Sequence, residues 1–218
     1  MHGTEHGTMT DPDLDGLLAR FTAWGAAPTV DGYVDLFAEG GTVFDSGMPA
    51  PIAGAQIEAA ITATFRLLEG FRLRPVRSGR NADTLYVEAR NTARLAGRQC
   101  EWDAVYCMTA RGDRVLRGRR YWDQAPVFEL LTDGPVVEVP HPDAGPMSLQ
   151  PVSVGHGEDG AWFREWSGTV SPEGSPLRLD VMERWAGGVS RWFANSLVLR
   201  PAARAAALAA QAQLSGSR

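Results

Sequence analysis

Lysine is absent from the 218-residue chain, and all 21 of its basic residues are arginine. This absence excludes Schiff-base catalysis, a pyridoxal-phosphate anchor and a P-loop, because each depends on a lysine amine. The sequence also lacks any apolar run near the roughly 20 residues that span a bilayer. Its net charge of −5 has the wrong sign to attract a phosphate backbone. We therefore expect neither a membrane nor a nucleic-acid partner.

Cysteine and histidine are scarce. Cys100 and Cys107 are the only cysteines, and on one strand they would lie about 23 Å apart at ~3.3 Å per residue, too far for a disulfide. The four histidines are scattered and show no metal-ligand spacing. We expect a cytoplasmic protein with free structural thiols, no metal and no cofactor.

Hydrophobic spacing predicts an α+β fold. Helical periodicity covers residues 13–37 and 55–69, and a short strand between them ends at Asp45. Four strand patterns follow, linked by tight turns, up to residue 123. Three helices before such a meander predict a cone-shaped, curved antiparallel sheet wrapped around the helices, over residues 11–128. Residues 1–10 are polar and predict a disordered leader.

The C-terminal section predicts a β-rich extension. Residues 129–160 are rich in proline and glycine, which indicates an irregular connector. Residues 161–218 predict three strands followed by an alanine-rich helix over 202–214, which Pro201 opens.

The extension shares one spacing with the meander. Gly97 lies six residues before Asp103, and Gly174 lies six residues before Asp180. Hairpin-linked strands share such spacings by chance about as readily as by duplication. A partial internal repeat therefore stays open.

Asp45 is the first candidate for chemistry, because it ends a strand beside a Gly/Pro-rich loop. One interpretation is a turn or cap aspartate. The other is a carboxylate at the mouth of an apolar cavity, where it can act as a general base.

Four stretches of the sequence, one of which ends at Asp45, form a further pattern. They are GLLARF from Gly16, LFAEGGTVFD up to Asp45 with Gly54 nine residues later, CEWDAVY from Cys100, and Tyr121 with Trp122. Together they resemble bacterial ketosteroid isomerase and the wider SnoaL-like superfamily, which share a nuclear-transport-factor-like cone fold. The resemblance covers about residues 11–128. It implies the fold predicted above, but a wider range of functions, because this fold hosts isomerases, cyclases, epoxide hydrolases, dehydratases and non-enzymes.

The resemblance implies roles for three positions. Asp45 falls on the general base that moves a proton next to a carbonyl, and Phe21 falls on an oxyanion-hole tyrosine, so that donor is missing. Tyr106 falls on the protonated aspartate of the same hole, and its phenol can donate a similar hydrogen bond. Asp45 and Tyr106 are therefore the predicted catalytic residues.

Strand alternation adds candidates for substrate binding, because every second residue of a strand shares a face. If Tyr106 faces the cavity, alternate residues of its strand and of the neighbouring strands do so too. Arg120 belongs to this set, although it could instead turn outward and pair with a surface acid. The predicted substrate-binding residues are Phe21, Asn91, Trp102, Met108, Arg120 and Trp122. The opposite face, with Asp103, Val105 and Cys107, is the expected homodimer interface.

These predictions favour a cofactor-independent isomerase or cyclase of secondary metabolism. Its substrate is expected to be an apolar polycyclic carbonyl compound of polyketide, steroid or terpenoid type. Asp45 would remove a C–H proton while Tyr106 and Arg120 stabilise the enolate, since a chain without lysine forms no iminium. A limonene-type epoxide hydrolase and a non-catalytic ligand-binding or assembly protein are the alternatives.

Overall fold

The computed structural model describes residues 11–46, 48–132, 147–170 and 177–195. Asp13 begins the first helix because its carboxylate accepts a hydrogen bond from the Gly16 N–H at 2.9 Å. Thr29 caps the second helix in the same way through the Gly32 N–H, at 3.0 Å. The described helices are α1 (Leu14–Ala26), α2 (Val30–Val34), α3 (Ala55–Leu67) and α4 (Ala125–Thr132).

The described strands form one ten-stranded sheet. They are β1 (Phe37–Asp45), β2 (Ile52–Ala53), β3 (Glu69–Asn81), β4 (Thr84–Leu95), β5 (Arg98–Arg111), β6 (Arg114–Tyr121), β7 (Met147–His156), β8 (Trp162–Val170), β9 (Leu177–Ala186) and β10 (Val189–Ala194). Their order is β10-β9-β8-β7-β3-β4-β5-β6-β1-β2. The C-terminal strands therefore extend the first sheet from its β3 edge.

The inner face of this sheet packs on the helices. Leu17, Phe21 and Trp24 of α1 share one buried cluster with inward side chains of β3 to β6, because each element repeats apolar residues at its own period. A mixed α+β fold with a large curved sheet and few helices is confirmed. The sequence predicted an antiparallel sheet, and this prediction is wrong for one pair of strands, because β1 runs parallel to β6.

The start of β1 differs from the prediction. Helical periodicity suggested a helix as far as residue 37, whereas β1 already begins at Phe37. The helix ends early because the Val115 N–H donates to the Leu36 carbonyl at 2.8 Å and draws the chain into register with β6.

The predicted irregular connector at 129–160 is wrong in two places. Helix α4 crosses its first residues, and β7 occupies 147–156, so the described extension has four strands instead of three. The sequence concealed β7 because Pro151 interrupts its pattern. Pro151 is tolerated because the β7–β8 register shifts between Pro151 and Ser153.

The extension covers the outer face of the cone. Val105 and Cys107 of β5 are buried against Phe163, Met182 and Phe193, which lie on β8, β9 and β10. This is the face expected to bind a second copy of the chain. The expected homodimer interface is therefore wrong for these residues, because strands of the same chain occupy their apolar surface.

Gly155 of β7 allows the close approach of the two layers. A Cβ at this position would lie 2.3 Å from Cδ2 of the buried Tyr86 ring, closer than atoms can pack. Tyr86 in turn stacks on Phe163 at 5.9 Å. A residue without a side chain is thus required where the extension turns over the sheet.

Three of the predicted features lie outside the described residues. They are the leader at 1–10, residues 133–146 of the connector, and the alanine-rich helix at 202–214. Among the described helices, none is both long and apolar enough to cross a membrane.

Candidate functional site

Asp45 and Arg120 meet at the end of β1. The parallel register places their Cα atoms opposite each other, so both side chains leave the sheet on the same face. Arg120 donates from Nε to Oδ1 of Asp45 at 3.0 Å and from Nη2 to Oδ2. Trp122 donates its indole N–H to Oδ1, also at 3.0 Å. The pair is mostly buried, with side chains 14% and 24% exposed for Asp45 and Arg120.

The contacts leave one oxygen of this carboxylate with spare capacity. Oδ1 accepts from both Arg120 and Trp122, whereas Oδ2 accepts from Arg120 alone among the described residues. A carboxylate oxygen has two lone-pair positions. Oδ2 can therefore accept one more proton donor.

The sequence left an inward and an outward orientation open for Arg120, and in the structure its side chain points inward. Its guanidinium also lies 5.2 Å from the centre of the Trp122 ring. Burial acts to lower the pKa of Arg120, but the charge and hydrogen bond of Asp45 outweigh it and hold this pKa above its ordinary value. Arg120 therefore keeps its positive charge inside the cone.

Tyr106 lies beside this pair and is tied to Asn91. Its hydroxyl donates to Oδ1 of Asn91 at 2.9 Å, and Asn91 donates in turn to the Trp102 carbonyl at 3.3 Å. Burial raises the pKa of Tyr106, against the opposing effect of the Arg120 charge. The phenol therefore keeps its proton, which in this conformation points to Asn91.

A small cavity lies within the cone. Its volume is about 20 Å³, which is room for about one water molecule. Ligand sites typically measure about 300–1,000 Å³. Aromatic rings fill the remaining space, since Phe21 and Tyr106 pack at 5.0 Å and Tyr33 and Phe37 at 5.3 Å between centres.

The predicted site residues fall into three groups. Phe21, Tyr106, Met108 and Arg120 line the cavity. Asn91 is fully buried and meets the cavity only through Tyr106. Asp45, Trp102 and Trp122 form the third group. Asp45 accepts hydrogen bonds from Arg120 and Trp122, and the centres of the Trp122 and Trp102 rings lie 5.5 Å apart. The structure thus brings the set together, and their catalytic and binding roles stay predictions.

Sequence reasoning missed several further lining residues, among them Tyr33 and Phe37. Their spacing of four residues on an apolar face was the available signal, and it indicated core packing rather than a site. Burial raises the pKa of Tyr33, while the charges of Arg120 and Asp45 act on it in opposite directions. Tyr33 is therefore a neutral phenol beside the same ion pair.

Sequence reasoning also missed a second buried carboxylate, on the outer face. Glu165 of β8 accepts from Arg119, Tyr121 and Ser153, and its side chain is 5% exposed. No sequence spacing links these four residues. Among the described residues, no group of three or more histidine, cysteine or acidic side chains could hold a metal ion.

Comparison with solved structures finds similar folds for part of the chain. A protein with a ketosteroid isomerase-like fold from Catenulispora acidiphila, in complex with trimethylamine, is 20% identical, matches 55% of this chain and 92% of its own, and has a TM-score of 0.48. A putative SnoaL-like polyketide cyclase from Jannaschia is 15% identical over 61% and 100%, at 0.47. An NTF2-like protein from Anabaena variabilis is 18% identical over 56% and 94%, at 0.43.

These neighbours carry the names of the superfamily that the sequence resembles. At such identities and scores the likeness concerns the fold alone. No family model matches the sequence, and no curated protein matches it.

Proposed function

We propose that the cone is the active site of a cofactor-independent isomerase or cyclase that forms an enolate from a cyclic carbonyl compound. The observation that carries this proposal is the Asp45–Arg120 pair at the cone interior. It combines a carboxylate that has spare acceptor capacity on Oδ2 with a permanent cation on the cavity lining. Proton abstraction next to a carbonyl requires a base and a stabiliser for the oxyanion, placed together.

The reaction follows from these two groups. Oδ2 of Asp45 takes a proton from the carbon next to the carbonyl, and the C–H electron pair forms the enolate double bond. The carbonyl π pair moves to oxygen, where the guanidinium of Arg120 stabilises the charge. Return of the proton to a conjugated carbon gives an isomer. Attack of the enolate carbon on a second carbonyl instead closes a ring, and the resulting alkoxide takes the proton back from Asp45.

Tyr106 supports the oxyanion after a change of partner. Its raised pKa keeps it a hydrogen-bond donor, and its proton points to Asn91 in the present conformation. Rotation of the hydroxyl toward a substrate oxygen gives the second donor. Phe21 supplies only an apolar wall at the position where the resemblance implies a tyrosine.

The substrate enters by displacing the wall of the cavity. Helix α2 is a single five-residue segment, and its Tyr33, together with the adjoining Phe37, lines the cavity on that side. Short helices open at low free-energy cost. We infer that α2 moves outward when a ring system binds.

The test measures exchange of α-protons for deuterium by NMR, with cyclopentanone, 2-tetralone and a 3-keto-5-ene steroid as probes of increasing size. Asp45→Asn should slow exchange by about 10²–10⁴-fold, the usual contribution of a general base. Asp103→Asn is the matched control. Asp103 also pairs with arginine and its side chain is 12% exposed, but it lies on the outer face. Equal exchange by the wild type and Asp45→Asn would overturn the proposal.

A second candidate, non-catalytic binding of a small ligand, is favoured by the cavity volume of about 20 Å³. A cavity of this volume suits a compact ligand better than a fused ring system. Calorimetry with the same probes separates the two: saturable binding without exchange, unchanged in Asp45→Asn, supports the binding protein. The epoxide-hydrolase alternative needs a second carboxylate on the arginine, and among the described residues Arg120 pairs with Asp45 alone.

A further inference from the structure

The strand that carries Asp45 has a neighbour on only one side at its end. Strand β2 pairs with Thr42 and Val43 and reaches no further. On the other side, β6 continues past Asp45, and the Ser46 N–H donates to the Arg120 carbonyl at 3.0 Å. Strand ends with a single neighbour open readily. The loop that follows contains Pro49 and Pro51, which have no N–H to donate to a neighbouring strand.

The extension supplies contacts where β2 stops. Asn195, just after β10, donates its side-chain N–H to the Ser46 carbonyl at 2.9 Å. The Ser46 hydroxyl lies 3.2 Å from the Asp180 carbonyl, to which it donates. The guanidinium of Arg178 lies 5.7 Å from the centre of the Phe44 ring. The two residues that flank Asp45, Phe44 and Ser46, are therefore contacted by residues far away in the sequence.

Burial makes the hydrogen bond from Asn195 to the Ser46 carbonyl difficult to replace. Ser46 and Asn195 are both 1% exposed, so water cannot replace a lost hydrogen bond at this carbonyl. An unpaired buried carbonyl is costly, and the chain escapes that cost by moving. A shift of Ser46 would carry Asp45 with it, because the two residues are consecutive.

We propose that Asn195 is a positioning residue: it holds the Ser46 carbonyl and thereby keeps the Asp45 carboxylate on the Arg120 guanidinium, which lines the cavity. This inference rests on the proposed role of Asp45 as the base. It gives the C-terminal extension a part in the active site, although none of the extension's described residues lines the cavity beside Tyr106 and Arg120. Asn195 touches no reacting atom and acts only through Ser46.

The first test needs no substrate. The indole N–H of Trp122 donates to Asp45, so its NMR signal reports where that carboxylate lies. In protein labelled with ¹⁵N-tryptophan, Trp122→Phe identifies the signal among the seven tryptophans. Asn195→Asp, which keeps the shape but presents an acceptor to the carbonyl, should move this signal. Asn195→Ala serves as a second variant that cannot overpack the site.

Ser153→Ala is the matched control for a general loss of stability. Ser153 also bonds across the two layers, where its hydroxyl accepts from the Tyr86 hydroxyl at 2.8 Å, but it makes no contact with β1 among those described. It should lower the free energy of unfolding by about 1 kcal/mol, the usual value of a hydrogen bond, and leave the Trp122 signal in place. A Trp122 signal that stays in place in both Asn195 variants overturns the proposal.

The second test is kinetic. With 2-tetralone as the probe, Asn195→Asp and Asn195→Ala should lower kcat for α-proton exchange about tenfold and leave KM unchanged, because misplacement of a catalytic group acts on the chemical step. Ser153→Ala should change neither. A moved Trp122 signal with unchanged kcat overturns the positioning role, as does a lower kcat with an unmoved signal. If exchange proves independent of Asp45, the proposed function fails, and the Trp122 signal alone decides whether Asn195 positions the carboxylate.

Discussion

Arg119 and Arg120 are consecutive residues of β6, and they hold carboxylates on opposite faces of one sheet. Arg120 faces the cone and binds Asp45, while Arg119 faces the extension and binds Glu165. Each carboxylate also accepts a hydrogen bond from the aromatic residue two positions after its arginine. This residue is Trp122 for Asp45 and Tyr121 for Glu165. The two arrangements are near copies in chemistry.

Their difference lies in how completely the carboxylate is used. Oε1 of Glu165 lies 2.6 Å from Nε of Arg119 and accepts from Tyr121, and Oε2 accepts from Arg119 and Ser153, both at 2.8 Å. Oε2 therefore accepts two hydrogen bonds, and Oε1 has two polar neighbours, of which only the Tyr121 hydroxyl donates a hydrogen bond. Oδ2 of Asp45 has Arg120 as its single neighbour among the described residues. A buried ion pair whose oxygens are both crowded by polar neighbours is structural, and a less crowded one beside a cavity is available for chemistry.

Glu165→Ala should have the largest effect on stability. It removes the carboxylate that pairs with Arg119, which then keeps only its contact with Cys107 Sγ among the described residues, and it leaves the Tyr121 and Ser153 hydroxyls without their acceptor. We expect the free energy of unfolding to fall by about 3 kcal/mol, the lower end for a broken buried pair, because Arg119 is 27% exposed. Urea denaturation measures this. Asp45→Ala should cost less, and an equal or larger loss there would contradict the comparison.

Replacing both members of the outer pair should recover much of that loss. In the double variant Arg119→Met with Glu165→Leu, no charge stays behind, and apolar side chains of similar volume often stabilise as well as a buried pair does. We expect unfolding within about 1–2 kcal/mol of the wild type. Exchange of α-protons should persist, since Asp45 and Arg120 remain. A double variant less stable than Glu165→Ala would show that the polar cluster specifies the docking of the layers.

Replacing the aromatic donors Trp122 and Tyr121 should separate an effect on the exchange rate from an effect on the free energy of unfolding. Trp122→Phe removes the N–H from Asp45, and a hydrogen bond to a charged group contributes about 1.5–3 kcal/mol. We expect exchange about tenfold slower. Tyr121→Phe should instead lower the free energy of unfolding by a similar amount and leave the exchange rate unchanged. Parallel rate and denaturation measurements on both variants check this, and a slower exchange in Tyr121→Phe would remove the distinction between the faces.

Cys107 gives the smallest and most local test of the outer face. Burial raises the pKa of the Cys107 thiol to about 12, from an ordinary value of 9.0, while the Arg119 charge opposes this. The unfolded thiol ionises first, so the contribution of Cys107 to stability is full below pH 9 and is lost as the pH rises toward 12. The loss amounts to at most about 1.4 kcal/mol per pH unit.

The comparison variant for this prediction is Cys107→Ala. Denaturation at pH 8, 9.5 and 10.5 should show a shallower decline for Cys107→Ala than for the wild type. Identical declines would mean that the thiol is accessible in the folded protein.

Much of the cone was predictable because its periodicities are local. Alternation along β4, β5 and β6 placed Asn91, Tyr106 and Arg120 on one face, which is where the structure has them. Alternation cannot distinguish an outward from an inward arginine at a strand end. That choice depends on Asp45, 75 residues earlier and opposite Arg120 only because β1 and β6 are parallel.

The remainder depended on contacts between distant segments. The buried Val105 and Cys107 indicate that a surface covers their face, but not whether it belongs to a partner or to the same chain. Pro151 concealed β7, and no local pattern links Asn195 to Ser46. The closure of the cavity by aromatic rings also follows from three-dimensional packing rather than from spacing.

Covering the outer face from within the same chain has a consequence for how the protein responds to dilution. A second copy would leave that face at low protein concentration, whereas β8 to β10 are tethered to it through β7. A tethered segment presents itself at an effective concentration in the millimolar range, whatever the amount of protein present. The hold of Asn195 on Ser46 is subject to the same tether, so the geometry around Asp45 should be equally intact in a dilute assay and in a concentrated NMR sample.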